Sequence, residues 1–110
     1  MIQVKVKKDQ NGYQEIKISG HSEYEVRGKD IVCASVSSIF ITTANALIRY
    51  QNNAIEVKQE DTDTIHVQMN LLKHDQVIDL LVENMLALLE ELASQYPKNI
   101  KIRKYEVSSC

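Results

Sequence analysis

Only three glycines and one proline punctuate these 110 residues, so the chain has few sites for sharp reversals and must be built from long, uninterrupted elements. From Ile31 to about Gln51 neither breaker occurs. Apolar residues recur there at Val32, Val36, Ile39, Phe40, Ala44, Leu47 and Ile48, the spacing of one helix face. Asp30 stands just ahead, where a carboxylate accepts from an otherwise orphaned N–H of the first turn. A second helix is predicted after Asp75. Its stripe runs through Val77, Ile78, Leu81, Val82, Met85, Leu88, Leu89 and Leu92 and closes at Tyr96-Pro97.

The remaining segments alternate with the period of half-buried strands. Ile2 to Lys7 and Tyr13 to Ser19 flank Asn11-Gly12, a tight-turn pair, and predict a hairpin. Ala54 to Gln59 and Thr64 to Asn70 predict a second hairpin, and Ile100 with Ile102 a last strand before a polar tail at residues 105–110. The expected class is α+β, in the order ββαββαβ, with one mixed or antiparallel sheet covered by two helices. Residues 1–110 form a single domain on this reading. Leu80 and Leu86 lie off the main face of the second helix, which suggests an apolar surface for a homodimer.

A formal net charge of −2 gives no overall reason to bind phosphate backbones, so no direct nucleic-acid binding is expected. The start alternates polar and apolar residues, and no run of eighteen apolar residues occurs. Neither signal peptide nor membrane span is expected, and a cytoplasmic location follows. Of the two cysteines, Cys110 is terminal and Cys33 lies within an apolar stretch, which argues against a structural disulfide.

Chemistry is concentrated around residues 20–37. Cys33 falls in the first turn of the predicted helix, where the dipole and unpaired N–H groups favour a thiolate and offer an oxyanion hole. His21 lies on the connection from the second strand, bracketed by Gly20 and Gly28. It fits a general base better than His66, within a strand, or His74, beside a helix cap. The glycine hinges suggest a lid that closes on substrate, leaving His21 and Cys33 apart without peptide. Spacing alone also accommodates a small core thiol, a solvated histidine and an Asp30 that merely caps the helix. His21, Cys33, His66 and His74 lack the paired short spacings of a zinc site, so no metal is expected, and no cofactor is implied.

Gly20-His21-Ser22, followed by Gly28-Lys29-Asp30-Ile31-Val32-Cys33-Ala34-Ser35-Val36-Ser37, resembles the signature of the ribosomal-processing cysteine protease family Prp. The resemblance extends over the whole chain, although this stretch alone is diagnostic. It implies a small α+β endopeptidase that works as a homodimer, with Cys33 as nucleophile and His21 as base. It also implies a substrate: a short N-terminal extension of a large-subunit ribosomal protein, cut after an aromatic residue in a hydrophobic motif. Asp30 and Ser37 match the signature, while Ser22 stands where alanine is expected. Two other classes compete: a dimeric module that binds a peptide or the ribosome without cutting, and a redox-sensing thiol protein.

Overall fold

A computed structural model describes residues 1–21, 30–60 and 64–107. The elements follow the expected order: β1 (Ile2–Asp9), β2 (Gly12–Gly20), α1 (Ile31–Tyr50), β3 (Ile55–Gln59), β4 (Ile65–Leu71), α2 (Gln76–Gln95) and β5 (Ile100–Glu106). They build a five-stranded sheet in the order β3-β4-β2-β1-β5. β5 runs parallel to β1 and every other pair is antiparallel, so the sheet is mixed.

Alternation along the strands decides which face receives the helices. Ile2, Val4 and Val6 of β1, Ile16 and Ile18 of β2 and Met69 of β4 are essentially inaccessible to solvent. Opposite them α1 buries Val32, Val36, Phe40, Ala44 and Leu47, and α2 buries Ile78, Val82, Met85 and Leu89. Each fully buried aliphatic side chain contributes about 1.5–3 kcal/mol of hydrophobic stabilisation.

Four details differ from the sequence reading. Gly12, with φ at +127°, opens β2 and pairs with Asp9, so the turn residues are Gln10 and Asn11, held by the Asn11 N–H donating to Asp9 Oδ1 at 2.7 Å. β5 continues to Glu106, two residues into the expected tail, because its pairing with β1 persists through Lys8 and Glu106. Leu86 belongs to the core, whereas Val77 and Leu88 are 40% and 42% exposed. α2 packs on α1 as well as on the sheet, which rotates its buried arc away from the stripe drawn on the sequence. Finally, α1 is long and apolar enough to cross a membrane, with a mean hydropathy of 1.9 over eighteen residues. Its Ser, Thr and Asn residues interrupt the apolar run without adding charge, and the helix spends Val32, Val36, Phe40, Thr43, Ala44 and Leu47 on the core.

Both helices are capped by an aspartate that divides its oxygens. On α2, Asp75 Oδ1 accepts from the Ile78 N–H at 2.8 Å, while Oδ2 accepts from the Tyr50 hydroxyl at 2.6 Å at the end of α1. The Tyr50 hydrogen bond, then that from Ile78, holds the Asp75 carboxyl below its ordinary value of 3.8. The same bond raises the Tyr50 phenol above 10.0. A lowered carboxyl stabilises the fold above its unfolded value, and that contribution fades as pH falls through the folded value. Tyr50→Phe should therefore move the Asp75 titration, followed by NMR, upward toward the ordinary value.

Candidate active site

The site begins where β2 leaves the sheet. Gly20 pairs with Ile2 on one side and Ile65 on the other, has φ at +107°, and lies so near β1 that a Cβ would press into the Met1 carbonyl oxygen. Only glycine satisfies both demands. Gly20→Ala should destabilise the fold by about 1–3 kcal/mol, measured by denaturant unfolding, through strain and displacement of the chain start. His21 follows directly, its side chain 25% exposed.

Asp30 faces His21 from the head of α1, and its side chain is only 2% exposed. Oδ1 accepts from the Val32 N–H at 2.9 Å and the Cys33 N–H at 3.0 Å, which fixes the first turn. Oδ2 lies 3.9 Å from His21 Nε2, an ion pair when the imidazole is protonated. Cys33 is partly buried and carries its sulfur as a thiol rather than in a disulfide. One donor atom from each of His21, Asp30 and Cys33 lies within 4.8 Å of the others. The exit of β2 and the head of α1 thus bring His21 and Cys33, twelve positions apart in sequence, to one point with Asp30.

This arrangement bears on three expectations. His21 and Cys33 lie close together in this structure, their donor atoms within 4.8 Å. The first-turn oxyanion hole fails as drawn, because the Val32 and Cys33 N–H groups already donate to Asp30 and the Ala34 N–H donates to the Asp30 carbonyl at 3.1 Å. A cysteine, a histidine and a carboxylate in one cluster are also chemically able to hold a metal ion, which sequence spacing does not reveal because the fold assembles them. Ser22 and Gly28 lie outside the described residues, as does Cys110.

Cys33 and His21 stand at one end of a cleft of about 480 Å³. α1 forms one wall with Val36, Ser37, Phe40, Ile41, Ala44 and Ile48, and Val57, Ile65 and Val67 of β3 and β4 form the other. Ile41, Ile48 and Val57 are 56%, 40% and 40% exposed, so the walls offer apolar surface to a ligand. Ser37 lines the cleft one turn beyond Cys33. His66 lies on the same lining, 3.6 Å from Glu60, outside the three-residue cluster. His74 contacts Gln14 and the Tyr13 carbonyl instead. The sequence reading missed the β3–β4 wall; the signal available was Val57, an apolar residue on a strand that the structure leaves largely exposed.

The family model described as cysteine protease Prp matches residues 1–101. The chain belongs to the Prp family of cysteine proteases. It is 31% identical over 88 residues to the ribosomal processing cysteine protease Prp of Mycoplasma pneumoniae, covering 80% of this chain and 84% of that protein. The Prp of Staphylococcus aureus is 25% identical over 95 residues, 86% and 89% of the two chains. A crystal structure of the S. aureus Prp with a covalently linked product peptide superposes with a TM-score of 0.88 at 23% identity, covering 96% of this chain and all of that one. The S. aureus Prp with a substrate peptide gives 0.82 at 22% identity, over 96% and 100%. Those structures share the ββαββαβ fold, and family membership makes this chain a hydrolase.

Proposed function

We propose that this Prp protease removes the N-terminal extension of a large-subunit ribosomal protein, with Cys33 as nucleophile, His21 as general base and acid, and Asp30 as orienter. The convergence of the three groups within 4.8 Å at the end of an apolar cleft carries the reading. The Cys33 thiolate forms a bond to the scissile carbonyl carbon, and His21, having taken the thiol proton, returns it to the amine as the peptide bond breaks. His21 then draws a proton from water, which attacks the thioester and releases the acid and the free thiol. Asp30 stabilises the imidazolium formed at each stage. Ser37 adds a hydroxyl on the same wall, and its proposed role is to donate to the oxyanion in place of the Val32 and Cys33 amides, which donate to Asp30.

The apolar cleft walls suit a hydrophobic motif with an aromatic residue at the cut. The test is to incubate the protein with peptides spanning ribosomal-protein N-terminal extensions and map products by mass spectrometry. One cut within the extension supports the proposal, and intact peptide bound in the cleft would replace it with the binding module. The metal-capable cluster favours one competing reading, a metal-dependent site. Undiminished cleavage in EDTA is expected of the thiol mechanism, and loss restored by zinc would favour the metal.

A homodimer belongs to the same proposal, supported by Leu80, Ile31 and Leu88, which are 65%, 55% and 42% exposed on the helices. Leu80→Glu should shift the mass measured by light scattering from dimer to monomer. A cytoplasmic setting, where thiols stay reduced, fits a Cys33 that is in no disulfide.

A further inference from the structure

Every second strand residue points away from the helices, and the open face so formed is basic. Lys5, Lys7, Lys17, Lys58, Lys101 and Arg103 stand on it against Glu15 and Glu56, in a chain whose formal net charge is −2. Asp30, Asp75, Asp79, Glu83, Glu90 and Glu91 belong to the helices and their caps instead, which is why net charge conceals this surface. Lys5 pairs across the sheet with Lys17 on one side and Arg103 on the other. Three cations therefore sit abreast at the roughly 4.8 Å spacing of neighbouring strands, with Lys101 about 6.6 Å along β5. Glu15 lies 3.8 Å from Lys7 and Glu56 lies 3.7 Å from Lys58. Among the described residues no carboxylate pairs with Lys5, Lys17, Lys101 or Arg103.

Like charges directly opposed across a sheet repel, so this row costs stability. Lysines on edge strands deter aggregation, which accounts for Lys58 and Lys101. β1 and β2 are interior strands without a free edge, so that account does not reach Lys5 and Lys17. Beside the row, Tyr105 pairs with Lys7 and is 42% exposed, which puts an open aromatic ring on the same face. Cations that no described carboxylate pairs, on one face with an exposed ring, match what single-stranded nucleic acid requires: phosphates neutralised by charge and a base stacked on an aromatic. An acidic peptide would use the charges and leave the ring without a role.

We infer that the open face of the sheet binds single-stranded RNA, with Lys5, Lys17, Lys101 and Arg103 on phosphates and Tyr105 stacking on a base. The choice of RNA among polyanions rests on the proposed ribosomal substrate. The face lies across the sheet from α1 and its thiol, so RNA and peptide occupy separate surfaces.

Fluorescence anisotropy with a labelled unstructured RNA, titrated at several salt concentrations, tests this, with cleavage of a short peptide as a second readout. The variant Lys5→Gln/Lys17→Gln/Arg103→Gln should weaken RNA binding about tenfold or more. Its slope of log affinity against log salt should flatten by about 2, at about 0.7 per phosphate contact. Tyr105→Ala should weaken binding about fivefold or more with the slope unchanged, since stacking releases no counterions. Both should cleave the short peptide normally. Absent RNA binding, an unaffected triple variant, or binding only to poly-glutamate or anionic vesicles would overturn the inference. Failure of the protease reading would show separately, as intact peptide beside normal RNA binding.

Discussion

Replacing Cys33 with Ala or Ser is expected to lower kcat for peptide cleavage by about a thousandfold or more while leaving the fold in place. The sulfur is partly buried at the edge of the core, so its removal should change stability by about 1 kcal/mol or less. His21→Ala should cost a comparable factor, since a nucleophile without a base and a base without a nucleophile are similarly disabled. Steady-state kinetics with a fluorogenic peptide, alongside thermal unfolding, separates activity from stability. The double variant should be little worse than either single one, because residues that act as a unit are not additive. Wild-type turnover in either single variant would remove the thiol mechanism, and additive losses would indicate two independent contributions.

How far the sequence discloses this site differs residue by residue. Strand alternation and the Asp30 cap follow from local rules, and the structure follows them because sheet and helices bury one shared face. Cys33 and His21 were legible as a thiol at a helix start and a histidine beside a glycine. Their meeting was not, since it depends on the register that brings Gly20 against Met1 and sets the exit of β2. The cleft wall from Val57, Ile65 and Val67 was hidden for a related reason. Alternation tells which face a strand residue occupies, but not whether a helix covers it, and α1 leaves that end of the sheet partly open. Net charge likewise averages over faces that the fold separates, so the lysine row across β1 and β2 emerges only with the strand order.

Asp30 joins the two levels, and its substitutions should resolve into separable effects. Asp30→Asn keeps an oxygen for the Val32 and Cys33 N–H groups, since asparagine caps helices about as well as aspartate, but removes the charge facing His21. Its stability should change little while kcat falls by about 10²–10⁴, the cost of losing the group that orients the base. Asp30→Ala removes both functions and should lose a further 0.5–2 kcal/mol or so of stability, because two N–H groups at the head of α1 lose their acceptor. Urea unfolding and kcat measured on the same samples make the comparison. Asp75 supplies an internal control, for it caps α2 with one oxygen and holds Tyr50 with the other, far from the thiol. Asp75→Asn should leave kcat unchanged, so a selective collapse in Asp30→Asn would identify the second oxygen of Asp30 as part of the chemistry. Equal activity in the two asparagine variants would reduce Asp30 to a helix cap and leave His21 to work without an orienting carboxylate.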